Sequence, residues 1–452
     1  MKILVQWPTR GRHEKILDRV AAWHAAESQR ASVAYQIVYD ADDAPTRTLL
    51  HNHRSSLDRL RATAIESRTP TKIGAYATGL NPGEWDVLVL GADDFVDPVP
   101  GWDQVIRRAM EQHFPGRDGL LHFSDGRVGD RLCTLPAVGN NLFRRLGHAY
   151  FPQYQSFFCD DELMECAVRL RRHQYIDLVL ARHDFRGSDR DADATYQRAK
   201  PSWMHDQNLF HARSQGSFGL VQPILSVLVP TIWERMESCQ RLVEELYRQV
   251  WALPRGAAVE ICVRRDQRGA QPVGAKRNAM LLHSNGRYVA FVDDDDRVAP
   301  DYLSSILAAI DATPGVDCVT FAGEFRQDGG PASLFDFDLA HKAHINRPGG
   351  VMDRMVNHLC PVRRDLALDA QFPLANRSED TAYAQRLLPL LKNQAVCRDE
   401  AGKKKILYFY DFSPAHSATQ GPHNVAATVP ELKREFAAAH LARLNGWKRG
   451  AK

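Results

Sequence analysis

Short apolar runs alternate along the chain with longer amphipathic stretches. Residues 2–7 form the first run, ending at Pro8-Thr9-Arg10-Gly11-Arg12, and residues 13–26 follow with Ile16, Leu17, Val20 and Ala21 spaced for one helix face. A second run at 34–39 ends at Asp40-Ala41-Asp42-Asp43, and a third at 85–90 ends at Gly91-Ala92-Asp93-Asp94. The spacing predicts helices over 55–66 and 71–79 between these runs, then over 101–113, 140–147 and 160–172. Further strands are expected near 120–123, 132–135 and 176–181. Strands alternating with helices imply a mostly parallel sheet, whose ligands bind beyond the carboxyl ends of the strands. Acidic residues gather at those ends.

From residue 187 to 222 the periodicity fades into polar sequence punctuated by Gly and Pro, which predicts a linker. The pattern then restarts. The run 225–229 leads to Pro230-Thr231 as the first run leads to Pro8-Thr9, 259–263 repeats the second strand, and 288–292 with its aspartates repeats 87–90 with Asp93-Asp94. This order is an internal duplication. The expected class is α/β, as two tandem domains at 1–200 and 223–425, joined by a linker at 201–222 and followed by a basic C-terminal helix at 426–452.

Residues 286–300 concentrate the candidate chemistry. The run 288–292 reads as a buried strand, and Asp293-Asp294-Asp295-Asp296 follow at its carboxyl end. A helix cap before Pro300 would account for one or two of these aspartates. Four adjacent carboxylates repel one another, and oxygen-only ligands suit a hard cation, Mg²⁺ or Mn²⁺, shared with a substrate phosphate.

The 452 residues exceed what one core usually serves, and 44% apolar with 25% charged residues is ordinary for a globular protein. A net charge of +3 gives no overall excess for binding polyanions, although the end of the chain is locally basic, with Lys403, Lys404, Lys405, Lys433, Arg434, Arg443, Lys448, Arg449 and Lys452. Eight cysteines without Cys-x-x-Cys pairs read as core thiols in a reducing compartment. Without a signal-peptide core or an apolar run of membrane-spanning length, the expectation is a cytoplasmic, unanchored protein.

Each half therefore carries a strand leading to Pro-Thr, an acidic residue after the second strand, an acidic pair or cluster after a later strand, and a second acidic pair opening a helix. In this order they resemble glycosyltransferases of the GT-A fold, specifically the large inverting family 2, over nearly the whole chain and most closely in the second half. The resemblance implies that Pro230, Thr231 and Asp266 face the nucleotide, and that Lys276, Arg277 and Asn278 belong to a basic segment facing the diphosphate. It implies further that Asp293 and Asp295 are the two carboxylates of an Asp-x-Asp motif holding Mn²⁺ or Mg²⁺. Glu379-Asp380 matches the catalytic acidic pair, with Asp380 as general base.

In the first half the same resemblance gives Pro8, Thr9, Arg10 and Asp40 the nucleotide-facing roles and Asp93 and Asp94 the metal. Gly91 stands where the first Asp of the motif would fall, Lys72 is the nearest substitute for the basic segment, and Cys159-Asp160 replaces the acidic pair, making Asp160 the candidate base. Some relatives recruit a late histidine to the metal, and His183 and His416 occupy such places. The donor implied is a nucleotide sugar, UDP-linked.

A soluble duplicated enzyme of this type also resembles phage-borne glycosyltransferases that decorate hydroxymethylated pyrimidines in DNA. The basic tail and Arg169-Leu170-Arg171-Arg172 offer cations that could follow a phosphate backbone. A soluble glycan, polysaccharide or protein hydroxyl is the alternative acceptor. An alternative of another class makes the first half a degenerate domain that only binds. A sugar-phosphate nucleotidyltransferase would need a Gly-rich loop after the first strand, which Pro8-Thr9-Arg10-Gly11-Arg12 does not supply.

Overall fold

The computed structural model describes residues 1–29, 32–184, 194–254, 258–268 and 270–412, with 194–196 as backbone alone. Two compact units divide it, Met1–Leu220 and Val221–Lys452. The basic tail from Lys433 onward, the helix expected at 426–452 and His416 lie outside the described residues.

Unit 1 contains β1 (Ile3–Thr9), β2 (Val33–Asp40), β3 (Ala62–Ser67), β4 (Val87–Leu90), β5 (Phe95–Val96), β6 (Leu120–Ser124), β7 (Pro136–Gly139), β8 (His173–Val179) and β9 (Arg182–His183). Seven of them form one sheet in the order β3-β2-β1-β4-β7-β6-β8, and β5 pairs with β9. The sheet is parallel from β3 to β4, whereas β7 runs antiparallel to both neighbours. All four residues of β4 are buried because the period-2 alternation of a strand feeds two cores. Val87 and Val89 join Trp7, Trp23 and Trp102 on one face, and Leu88 and Leu90 join Tyr76, Trp85 and Tyr154 on the other.

Two expectations are corrected here, and one helix is added. The helix predicted over 55–66 covers only Arg54–Arg59, and the chain then extends into β3, pairing Tyr35 with Ala62. Leu57 and Leu60 have helical spacing, but Ala62 fills the sheet edge beside β2. An unforeseen helix, Ala44–Asn52, begins where the Asp43 side chain caps the Thr46 N–H. The strand predicted at 132–135 lies slightly later, as β7.

Residues 201–222, expected as a linker, hold the helix Trp203–Gln215. The buried carboxylate of Asp206 explains its placement on unit 1: it accepts from the main-chain N–H groups of Gln155, Ser156 and Phe157 at 3.0, 2.9 and 2.8 Å.

Unit 2 contains β10 (Leu225–Ile232), β11 (Val259–Asp266), β12 (Tyr288–Phe291), β13 (Arg297–Val298), β14 (Cys318–Thr320), β15 (Ala322–Gln327), β16 (Ser333–Phe337), β17 (Ile345–Arg347), β18 (Val351–Arg354), β19 (Val362–Arg363), β20 (Gln394–Val396) and β21 (Ile406–Phe412). The central sheet, β11-β10-β12-β19-β14-β20, repeats the unit 1 plan without the β3 edge. A second sheet, β13-β21-β15-β16-β18-β17, has only the pair β5-β9 as its parallel in unit 1. It arises mainly from residues 321–361, inserted between β14 and β19 where unit 1 has only residues 125–135 between β6 and β7.

Candidate functional site

Strand register aligns the two units residue by residue. Ile3 of β1 pairs with Val87, and Leu225 of β10 pairs with Tyr288. Carried along the chain, this makes Asp93 the counterpart of Asp294 and Asp94 the counterpart of Asp295. Hydrogen bonds agree: Thr9 Oγ1 donates to Asp93 at 3.1 Å, and Thr231 Oγ1 donates to Asp294 at 2.6 Å. Ala92, rather than Gly91, therefore occupies the Asp293 position, and Phe95 that of Asp296. Gly91 has a separate cause, because a Cβ there would fall 2.0 Å from Trp7 Nε1. On the neighbouring strand the same reasoning makes Asp40 the counterpart of Asp266.

In unit 2 a cavity of about 780 Å³ opens at the carboxyl ends of β10 and β12, a usual size for a small-ligand site. Pro230, Thr231, Lys276, Arg277, Asp293, Asp295 and Asp380 all line it. Asp266 is linked to it by its ion pair with Lys276, whose Nζ also donates to the Thr231 carbonyl at 2.9 Å. Asn278 is used differently: its side chain donates to the Phe372 carbonyl and accepts the Phe372 N–H, both at 2.8 Å, anchoring the helix Val273–His283. Lys276 and Arg277 are each 5% exposed, so this helix is no solvated surface.

Arg277 bridges the acidic loop and the later acidic pair, donating to Asp293 at 2.9 Å and to Glu379 at 3.1 Å. Arg235 reaches Asp294 at 2.8 Å and Asp295 at 3.0 Å, while Tyr408 Oη donates to Asp296 at 2.6 Å. These contacts divide the four carboxylates. Burial opposes the charge on Asp293, but Arg277 and His358 outweigh it and hold the group below the usual range. Burial pushes Asp295 up to about 6, despite Arg235, and burial with the charge of Asp293 pushes Asp296 well above its ordinary value. Among the described residues, Asp296 Oδ1 and both ring nitrogens of His358 are buried without a hydrogen-bond partner, and His358 Nε2 lies 3.8 Å from Asp293.

The later acidic pair opens the helix Glu379–Leu387, entered through Ser378 at φ 55°. Glu379 is buried against Arg277, whereas Asp380 is half-buried, faces the cavity and accepts the Thr381 N–H at 2.7 Å. Unit 1 repeats this device with Phe158 at φ 61° before the helix Cys159–Arg169, with Cys159 buried and Asp160 half-buried. Two non-glycine residues in the left-handed region at one position mark a strained entry that the surrounding fold maintains.

The rest of unit 1 departs from unit 2. Ile73-Gly74-Ala75 matches Val273-Gly274-Ala275, so Tyr76 and Ala77 stand in place of Lys276 and Arg277. Lys72 opens the helix Lys72–Ala77, and its charge opposes the burial that raises Asp160. Arg10 pairs with Asp40 at 2.5 Å, and Arg12 pairs with Asp93. His183 lies 3.2 Å from Asp94 and 3.6 Å from Asp125. Among the described residues no three His, Cys, Asp or Glu side chains converge on one metal position.

Arg235, His358 and Tyr408 were absent from the sequence reading. Arg235 had a signal, since it follows Pro230-Thr231 as Arg12 follows Pro8-Thr9; the other two reach the loop only through the tertiary fold. Of the arginines at 169–172, Arg172 is buried beside Asp118, whereas Arg169 is exposed and pairs at the surface with Glu165 at 2.9 Å, and Arg171 is exposed. No helix among the described residues is long and apolar enough to cross a membrane.

Residues 255–367 match the sequence profile of glycosyl transferase family 2, a segment that runs from β11 through Arg277 and the acidic loop to the helix Arg364–Ala370. The matched segment lies wholly within unit 2. No curated protein sequence matches the chain. Solved structures similar to it include mannosyltransferase PcManGT from Pyrobaculum calidifontis in complex with GDP-Man and Mn²⁺, at 15% identity over 41% of this chain and 57% of that one, with a TM-score of 0.35. S. aureus TarS 1–349 in complex with UDP-GlcNAc is similar at 17% identity over 50% and 76%, TM-score 0.32. Glucosyl-3-phosphoglycerate synthase from Mycobacterium tuberculosis, in complex with Mn²⁺, UDP and glucosyl-3-phosphoglycerate, is similar at 14% identity over 45% and 79%, TM-score 0.32. The chain spans little more than half of the mannosyltransferase.

Proposed function

We propose that unit 2 is a metal-dependent, inverting glycosyltransferase centre that moves a sugar from a UDP-linked donor to an acceptor hydroxyl. The observation that carries this reading is the Arg277 bridge, which puts the acidic loop and the helix bearing Asp380 around one cavity. The donor set fits a hard cation. Its oxygens are all carboxylate, Asp296 Oδ1 lacks a partner, and the raised Asp295 and Asp296 mark a loop short of positive charge. Asp293 and Asp295 are the residues that would hold Mn²⁺ or Mg²⁺, which when bound supplies neutralisation of the charge left on the nucleoside diphosphate.

The chain's own groups complete the reaction. Asp380 takes the acceptor proton as the acceptor oxygen bonds to the anomeric carbon and the bond to the diphosphate breaks on the opposite face. One displacement inverts the sugar. Glu379, held by Arg277, fixes the start of the helix and so aims Asp380. Lys276, set by the Thr231 carbonyl and Asp266, brings a cation to the phosphates and stabilises their departure. A positioned base commonly contributes ~10²- to 10⁴-fold, and alignment adds more.

For unit 1 the proposed role is to bind nucleotide or acceptor, with Asp160 as its candidate base and Asp94 with His183 as its candidate metal ligands. It keeps two of the four loop carboxylates and lacks the Lys-Arg pair, which supports a reduced role. We place the reaction in the cytoplasm, consistent with eight free cysteines. The acceptor to test first is a hydroxymethylated pyrimidine in DNA, with a soluble glycan, polysaccharide or protein hydroxyl as the alternative. The DNA reading draws on the basic tail and on the exposed Arg169 and Arg171, since Arg172 is buried beside Asp118, and a base in duplex DNA would first have to be flipped out.

The deciding experiment measures UDP release from a panel of UDP-sugars with Mn²⁺, with and without DNA containing hydroxymethylcytosine, for the parent and Asp380→Asn. Turnover that needs the modified DNA and vanishes in the variant establishes donor, acceptor and base together. Turnover indifferent to DNA moves the acceptor to a glycan or protein, and absence of donor binding overturns the transferase reading.

A further inference from the structure

The insertion at 321–361 furnishes one wall of the unit 2 cavity, with Phe335, Phe337, His344 and Arg354. Arg354 is half-buried and pinned: it donates to the main-chain carbonyl of Asp353 at 2.9 Å and to Asn346 Oδ1 at 3.0 Å, and lies 2.9 Å from Met352 Sδ. Arg235 and Arg277, on the same cavity, are each neutralised by two carboxylates. Arg354 forms no ion pair among the described residues. The Asp353 carboxylate acts on it through space but is already paired with Arg347, so this held, partly desolvated guanidinium can still take a ligand's counter-charge, and its planar fork suits an oxyanion.

His344 shows which end of the cavity this is. The Met355 N–H donates to its Nδ1 at 3.4 Å, and His344 lines the same cavity as Arg354 and Asp380. Arg354 therefore shares a cavity with the group proposed to meet the acceptor. Among the described residues nothing in unit 1 corresponds to it, because only residues 125–135 stand there in place of the insertion.

We propose that Arg354, with His344 beside it, receives an oxyanion carried by the acceptor, a phosphate or carboxylate group placed near the nucleophilic hydroxyl. Assigning this anion to the acceptor rests on the transferase reading of the cavity, while the anion subsite itself rests on Arg354 alone.

The test titrates the full chain, saturated with UDP and Mn²⁺, with glucose 6-phosphate and with glucose. A charge-assisted contact of this kind predicts that the phosphorylated sugar binds about tenfold more tightly or better. Arg354→Gln should bring the two sugars to within roughly threefold, and Arg354→Lys should keep part of the preference. Equal binding of the two sugars by the parent, an undiminished preference in Arg354→Gln, or displacement of UDP by glucose 6-phosphate would each overturn the proposal. If the parent fails to bind UDP, the same titration without nucleotide separates the two readings: a preference lost in Arg354→Gln keeps the subsite while the transferase reading falls, and no preference ends both. Should Arg354→Gln not fold, Arg354→Lys and the parent comparison still decide.

Discussion

Arg277 Nη1 donates to Glu379 Oε1 at 3.1 Å, joining residues 102 positions apart in the sequence. The same guanidinium holds Asp293, so one buried cation fixes the distance between the acidic loop and the helix of the proposed base. Removing it strands the buried Glu379 and the partly exposed Asp293. Arg277→Met should destabilise unit 2 by about 3–5 kcal/mol, the usual cost of breaking a buried pair from one side. Chemical denaturation of parent and variant checks this; a loss under about 1 kcal/mol would mean that the bridge is not formed in solution.

Asp380→Asn should lower transfer by ~10²- to 10⁴-fold while UDP binding stays within about threefold, because an amide keeps the shape but cannot accept the proton. Asp160→Asn tests the other unit. With unit 2 carrying the chemistry, total turnover in that variant should fall by no more than about half, and a loss as deep as that of Asp380→Asn would reverse the assignment of roles.

Metal should raise stability as well as support turnover. A cation present at ~100 times its Kd contributes about 2.7 kcal/mol if it binds only the folded state. Melting curves with Mn²⁺ and with EDTA should therefore differ in the parent, and the difference should shrink in Asp295→Asn. An Mn²⁺ shift that persists in Asp295→Asn but disappears in Asp94→Asn would place the cation in unit 1.

The first unit should lose stability in mild acid for a reason independent of its chemistry. His122 Nδ1 lies 3.1 Å from His173 Nε2 across β6 and β8, and burial, then the charge of His122, pulls His173 down to about 4. Because the folded value lies below the ordinary 6.5, the unfolded chain takes up the proton first, so stability falls as pH drops from about 6.5 towards 4. After allowance for screening at a half-buried ring, the loss is roughly 1–2 kcal/mol. Hydrogen exchange of the β6 and β8 amides at pH 7 and pH 5 measures it, and His173→Gln should flatten the dependence.

The duplication and the acidic strand ends were legible because both are local. A strand that ends in Pro-Thr or in a run of aspartates announces itself by composition and period, whereas Asp380 stood out only through the resemblance to family 2. The same locality produced the errors. Leu57 and Leu60 fit a helix until β2 offers Ala62 a partner, and residues 203–215 look like a polar linker until Asp206 finds three main-chain N–H groups. Gly91 was assigned to the first Asp position by counting along the chain, and strand register moves that position to Ala92.

The sequence by itself determined the α/β class, the repeated order of elements and the identity of most charged groups at the strand ends, since these follow from period and composition over a few residues. Only the tertiary structure decided which of those groups are spent and which are left open. Asn278 is used on the Phe372 backbone, Arg169 and Arg172 on carboxylates of unit 1, and Arg277 on two acids from distant segments, while Arg354 arrives on an inserted sheet, held by neutral oxygens and without an ion pair among the described residues. Ion pairing depends on distance through space and on burial, and neither is written in the order of residues along the chain.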